Sequence, residues 1–413
     1  MEHVFITNIQ IEKVRHLQDI LIVLSDNQAK HLIFTGKNGS GKTSVLEAMS
    51  KYLYAVVNTD KYERAVKLYN YSLNKLRTTQ GYGSKRLEAE SDVKKYLHEL
   101  EEAQAGMSIN FSFPQEELHY RFKKNEFLVA YYKAERSFKA DIPKQIEKVQ
   151  LADSYMLTEV PRRMFVKYML DLKVTEALAR NKGNYQKADE IAKWFVKFQD
   201  LLRKIFSDDT LELLFEEDTY EFYIKEKGRE LFGFNELSSG FAAILDIVLD
   251  IIVRMEKQTN KTFDFRMSGI VLIDEIETHL HLEMQKSVMN LLTTIFPNIQ
   301  FIVSTHSPFI LNSLENVVIY DLEKDICVEN GLANIPYSGI VEGYFNTDAL
   351  SAVLKEKFER YKLLVRKNDL SDDDFEQIAE LEVYLNEIPD YLALDITTEY
   401  QEMKLEFATR EDI

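Results

Sequence analysis

The chain has 413 residues, and 45% of them are apolar, including 25 Phe, which excludes a disordered chain and allows roughly two to three domain-sized units. A formal net charge of −17 excludes nucleic-acid binding by the global field, leaving only locally gathered basic residues for it. The single cysteine, Cys327, excludes an internal disulfide, the start lacks the order of a signal peptide, and no apolar run reaches ~18 residues, so the chain reads as cytoplasmic with no membrane part.

Residues 3–24 alternate apolar and polar and read as two short strands around a turn. His31–Thr35 is a short apolar strand running into Gly36-Lys37-Asn38-Gly39-Ser40-Gly41-Lys42-Thr43, and Thr43–Tyr54 reads as the helix after it. Residues 60–105 look helical and charged, with a break at Gly81–Ser84. Within 61–86, Lys61, Arg64, Lys67, Lys75, Arg77, Lys85 and Arg86 stand against one acid, Glu63. Met107–Phe113, Leu118–Phe122 and Phe127–Tyr132 read as strands of a meander.

Residues 162–206 read as a strongly helical insert, because Phe165, Tyr168, Met169 and Leu172 fall on one helix face. Gly183-Asn184 closes that helix, and Trp194, Phe195 and Phe198 mark the next. Strand patterns return at Leu211–Phe215 and Glu221–Ile224. The apolar stretch Phe241–Met255 is a long helix interrupted by Asp246 and Asp250. Ile270–Ile273 and Phe301–Ser304 are short apolar runs of the kind covered on both faces of a sheet. After Asp321 the sequence turns helical and acidic.

Gly36-x4-Gly41-Lys42-Thr43 fits a phosphate-binding loop. Its glycines let backbone N–H groups curl around the phosphates of ATP, Lys42 neutralises their charge, and the Thr43 hydroxyl ligates Mg2+ at a helix N-terminus. Asp274 and Glu275 emerge at the end of an apolar strand, where α/β sheets place ligands. Asp274 is expected to hold Mg2+ and Glu275 to polarise the attacking water. Ser238-Ser239-Gly240, about thirty residues earlier, can present hydroxyls and N–H groups to a γ-phosphate. His306, after another strand, is placed to hydrogen-bond that phosphate or the water.

In this order the motifs resemble those of the ABC-type ATPases of the SMC, Rad50, RecF and OLD group. The glycine loop looks like Walker A, Leu237–Gly240 like the signature motif, Ile270–Glu275 like Walker B and His306 like the H-loop histidine. Glu277-Thr278-His279-Leu280-His281 resembles the D-loop region of the AAA15-like subgroup, and the nearest likeness is to compact anti-phage defence ATPases such as those of Septu and PARIS. Ser239 and Phe241 depart from the common signature, and Tyr132–Ser137 occupies roughly the position of the Q-loop.

The resemblance implies an α/β fold. It has an ABC-type head with an antiparallel β-meander, a central mostly parallel sheet, a short helical insert and a helical C-terminal extension. The corresponding boundaries are an ATPase lobe at 1–136, the insert at 137–206, a second lobe at 207–325 and the acidic extension at 326–413. It implies a Mg2+-dependent ATPase acting as sensor or scaffold of a bacterial anti-phage defence complex. Such a chain forms at least a homodimer, inside a higher homo-oligomer, with Ser238, Ser239 and Gly240 serving the nucleotide of the opposite subunit. It controls a separately encoded effector, a nuclease; the alternative is a RecF-like DNA-maintenance ATPase. No sustained heptad repeat appears, which argues against a long DNA tether. Lys61, Arg64, Lys75, Arg77, Lys85 and Arg86 are the candidates for nucleic-acid contact, to phosphate only. Asp372-Asp373-Asp374 contains an Asp-x-Asp, but Ser371-x-x-Asp374 before an amphipathic stretch reads as a helix cap rather than a nuclease metal site.

Overall fold

In this computed structural model the described residues are 3–410, apart from 80–82, 137, 144, 261, 336–338, 341–351 and 387–393. In chain order the first elements are β1 (Ile6–Val14), β2 (Leu17–Val23), β3 (His31–Thr35), α1 (Lys42–Leu53), α2 (Lys61–Thr78), α3 (Ser84–Gln104), β4 (Met107–Phe111), α4 (Leu118–Lys123) and β5 (Phe127–Tyr132). Then come α5 (Phe165–Asn181), α6 (Tyr185–Phe206), β6 (Glu212–Glu216), β7 (Glu221–Lys225), β8 (Phe232–Gly233), α7 (Ser239–Thr259), β9 (Ser268–Ile273), α8 (Leu282–Ile295), β10 (Ile299–Ser304), β11 (Val317–Asp321) and β12 (Ile326–Val328).

Three sheets organise these elements. The central one runs β12-β11-β3-β10-β9-β5 and is parallel from β11 to β5, with β12 antiparallel at the edge. Every residue of β3, β9, β10 and β11 is buried, which is why these strands are mainly apolar and do not alternate. The second sheet, β2-β1-β4, is antiparallel and half-exposed, so its sequence alternates. α1 packs between these two sheets, sharing a core of Ile9, Ile11, Val45, Met49, Ile109 and Leu272. The buried amide of Gln300 joins them directly: it accepts from Ile6 N–H at 2.7 Å and donates to the carbonyls of Ile6 at 3.1 Å and Lys30 at 2.7 Å. The third sheet is the β6-β7-β8 ribbon.

Local expectations at three places need correction. Leu118–Phe122 is helical, in α4, because Leu118 and Phe122 lie one turn apart on a buried face. β5 therefore leaves the antiparallel sheet and pairs parallel with β9. The described residues of 138–160 carry no helix; Arg254 donates to the carbonyls of Tyr155, Met156 and Glu159 and satisfies them without one. Ile326–Val328 pairs with β11, so the helical extension begins later than residue 326.

α7 lies buried over most of its length. Asp246 and Asp250, the two polar interruptions of its apolar run, are wholly buried and paired. Asp250 accepts from Arg254 Nε at 2.6 Å and from the Tyr132 hydroxyl at 2.9 Å; Asp246 binds Arg162. No helix among the described residues is long and apolar enough to cross a membrane.

The chain divides into two units, Met1–Asn334 and Ile335–Ile413. The second contains helices Ala352–Val365, Asp372–Asn386 and Leu394–Ala408 around Phe358, Tyr361, Ile378, Leu381, Tyr400 and Met403.

Candidate nucleotide site

The site is assembled at the carboxyl ends of β3, β9 and β10. Gly36 leaves β3 with φ +126°, and a Cβ there would lie 2.9 Å from Ser40 Oγ; Gly41 opens α1 with φ +102°, and a Cβ there would lie 2.9 Å from Leu17 Cδ1. Both positions therefore require glycine. Between them the loop leaves Lys37, Asn38 and Gly39 exposed, while Ser40 is buried. Lys37 reaches out to Glu323 at 2.6 Å. Lys42 curls back across the loop, donating to the carbonyls of Gly36 at 2.8 Å and Lys37 at 3.1 Å. Burial lowers its pKa, against the pull of Glu275, Glu277, Asp274 and Asp321. Thr43 is exposed beside it.

β9 ends at Ile273, and the next two residues are fixed by a hydroxyl from the neighbouring strand. Ser304, the last residue of β10, donates to Asp274 Oδ1 at 2.5 Å and accepts from Glu275 N–H at 2.8 Å. Glu275 takes φ +45°, in the left-handed region that few non-glycine residues adopt. From the other side Arg136 donates to the carbonyls of Asp274 at 2.6 Å and Glu275 at 2.9 Å. Arg136 lies just beyond β5.

His306 is anchored through its backbone. Its N–H donates to Glu277 Oε1 at 2.5 Å, and the Thr305 hydroxyl donates to Glu277 Oε2 at 2.8 Å. Burial lowers the pKa of the His306 imidazole, with the Lys42 cation adding to the effect against three nearby carboxylates, which favours the neutral ring.

A cavity of about 210 Å³ has Asn38, Gly39, Gly41, Lys42, Thr43, Glu275 and His306 on its walls. Sequence reasoning missed three contributors. Arg15 and His16, at the β1–β2 turn, also line the cavity, and Ser304 sets the acidic pair. Arg15 has φ +54°, and turn geometry of that kind leaves only a faint mark in a sequence. Ser304 could have been noticed as a polar residue closing an otherwise apolar strand. Asp274 is buried behind the cavity at 3% exposure. The hard oxygen donors available, a Thr43 hydroxyl and the Asp274 carboxylate, suit Mg2+.

Ser238, Ser239 and Gly240 do not line this cavity. They begin α7, with both serines exposed and Gly240 packed so that a Cβ would meet the His279 carbonyl at 3.1 Å. The basic stretch lies on the α2–α3 hairpin, where Lys67 pairs with Glu63, Lys75 with Asp92 at 2.9 Å and Arg86 with Glu90 at 3.2 Å. Lys61 and Arg64 share a larger cavity of about 660 Å³ with Glu99 and Glu102. Acids of α3 thus offset part of the positive charge, and Gly81 and Tyr82 lie outside the described residues. At the Asp-x-Asp, Asp374 accepts from Ser371 N–H at 2.8 Å and its own N–H donates to Ser371 Oγ at 3.3 Å, the reciprocal cap expected. Lys367 and Ser371 hold that carboxyl down at about 2. Among the described residues no group of three or more His, Cys, Asp or Glu could hold a metal.

A family model described as "AAA domain, putative AbiEii toxin, Type IV TA system" matches residues 97–312, which includes α7, β9, β10 and His306. The chain is 30% identical to the Septu protein PtuA of Bacillus mycoides (strain KBAB4) over 155 residues, 36% of this chain and 21% of that protein. It is 42% identical to the Retron Vc95 probable ATPase of Vibrio cholerae serotype O1 biovar El Tor over 91 residues, 22% of this chain and 17% of the relative. It is 30% identical to the Retron Ec83 probable ATPase of Escherichia coli over 165 residues, 38% of this chain and 30% of the relative. This chain spans less than a third of the length of each of these relatives. The family match takes in more than half of the chain, strands β9 and β10 among it, and the protein belongs to this AAA-domain family of ATPases.

Proposed function

We propose that this chain is the Mg2+-dependent ATPase subunit of a bacterial anti-phage defence system. In this reading two copies close head-to-tail around ATP, and the nucleotide state governs a separately encoded effector, a nuclease. One observation carries the reading: Lys42, Thr43, Glu275 and His306 share one cavity, while Ser238–Gly240 stand at the start of α7 and take no part in it. A second copy supplies what the first lacks. The defence context draws on the Septu and retron relatives.

Each residue then has its own role. The loop amides and Lys42 bind and orient the phosphates. Thr43 and Asp274 would hold Mg2+, which would supply positive charge against the phosphates. Glu275 accepts a hydrogen bond from the attacking water and aligns it with the γ-phosphorus. Neutral His306 donates a hydrogen bond to a γ-phosphate oxygen. Ser238 and Ser239 of the opposite copy close on the same phosphate, and loss of that contact after hydrolysis releases the dimer.

The test is complementation between two disabled chains. Lys42→Ala removes the phosphate cation and Ser239→Arg blocks the closing surface, so each homodimer is inactive. A mixture contains heterodimers with one intact composite site, and turnover is expected to return on mixing. Two inactive variants that stay inactive when mixed, despite co-purifying through a tag carried by only one of them, would overturn the shared-site reading.

A further inference from the structure

Arg136 is 5% exposed, and its guanidinium faces the turn that carries Asp274 and Glu275. Nη1 donates to the carbonyls of Asp274 at 2.6 Å and Lys133 at 2.9 Å; Nη2 donates to those of Glu275 at 2.9 Å and Ile276 at 3.3 Å. Three successive carbonyls of one turn therefore converge on one planar fork. Few arrangements other than a guanidinium can do this, because its donors are fixed in a plane and spread apart.

The turn needs such a holder. Glu275 sits at φ +45°, a left-handed conformation that a residue with a long side chain rarely adopts and that persists only where the surroundings impose it. Ser304 fixes the amide side of Glu275 and Arg136 the carbonyl side. The two peptide planes flanking Glu275 are thus set, and with them the direction in which its carboxylate enters the cavity beside Lys42 and His306.

We infer that Arg136 is a positioning residue for hydrolysis, acting through the backbone of Glu275 and touching neither nucleotide nor water. The inference rests on the proposed role of Glu275. Burial lowers the pKa of the guanidinium, but Asp246, Glu277, Asp274 and Glu275 pull the other way, and Arg136 keeps the charge that its fork requires. Asp246 lies on α7, the helix that begins beside Ser238 and Ser239, and it is also bound by Arg162. Arg136 and Asp246 line one cavity beside that turn.

The experiment compares Arg136→Lys, Arg136→Ala and Glu275→Gln in the full chain. Arg136→Lys keeps a cation but loses the fork, so kcat is expected to fall about 10–100-fold while KM and Kd for ATP stay within about threefold. Arg136→Ala is expected to lose more turnover, and low-millimolar guanidinium ion should restore part of it while leaving Glu275→Gln inactive. Wild-type kcat in Arg136→Lys, with Glu275→Gln inactive, overturns the inference alone. Wild-type turnover in Glu275→Gln overturns the proposed function itself. Failure of Arg136→Lys to fold, or a parallel loss of ATP affinity and turnover without guanidinium rescue, assigns Arg136 to scaffolding and also overturns the inference.

Discussion

Two regions of this molecule are dense in charge, and they handle it in opposite ways. On the α2–α3 hairpin the charges are exposed and pair along or between helices, as Lys67–Glu63 and Arg86–Glu90 do. Around α7 the charges are buried and bound to specific partners. Asp250 ties Arg254, Tyr132 and the Arg162 backbone together, and Arg254 in turn holds the carbonyls of Tyr155, Met156 and Glu159. The first kind of charge dominates composition and contributes little energy; the second is a few residues and fixes how β5, α7 and the 155–164 segment meet.

That contrast can be tested from the inside outward. Asp250→Asn keeps the volume but leaves Arg254 buried without its anion, and should destabilise the Met1–Asn334 unit by about 3–5 kcal/mol in denaturant unfolding. A loss under about 1 kcal/mol would mean that the buried pair is dispensable and the contrast false. His31 is a milder buried case: burial, with a smaller contribution from His3, lowers its pKa to about 4, and its Nδ1 accepts from Phe301 N–H at 3.1 Å. The folded state therefore binds its proton less readily than the unfolded state. Stability from this site is complete above about pH 6.5 and drains away as pH falls towards 4, by about 3 kcal/mol in all. His31→Asn retains an acceptor without the titration, so its Tm should vary less between about pH 6.5 and 4 than that of the wild type; parallel Tm curves would refute the assignment. At the surface, Lys67→Ala should change stability by less than about 0.5 kcal/mol, and a drop above about 1 kcal/mol would show that the hairpin charges are structural after all.

How much of this is legible in the sequence depends on how local the cause is. The glycine loop, the strand ending in Asp274-Glu275 and the Ser371–Asp374 cap each follow from a few adjacent residues, and each is found where the pattern places it. The apolar runs of β3, β9 and β10 likewise announce strands covered on both faces. Leu118–Phe122 reads as a strand because five residues with a partial apolar pattern fit either period, and burial against its neighbours decides for helix. The irregular 138–160 segment escapes a sequence reading for another reason. Its backbone partners include Asn235, Asp171, Asn58 and Arg254, from about 20 to about 100 residues away, and no local window contains them. Ser304, Arg15 and Arg136 enter the site by the same long-range route. The aspartates of α7 read as interruptions of an apolar run, and only their partners turn them into core residues.

The left-handed backbone at Glu275 sets two selection pressures against each other at a single position. A survey of all substitutions there should return two opposed rankings. Folding assays should favour glycine and asparagine, which accept φ +45° with least strain, over the glutamate that occupies the site. Turnover should favour glutamate over everything else. Such a mismatch, found at one residue and absent at its neighbours, is a signature that could be sought in any protein where the acid of a strand-end pair sits in the same backbone conformation.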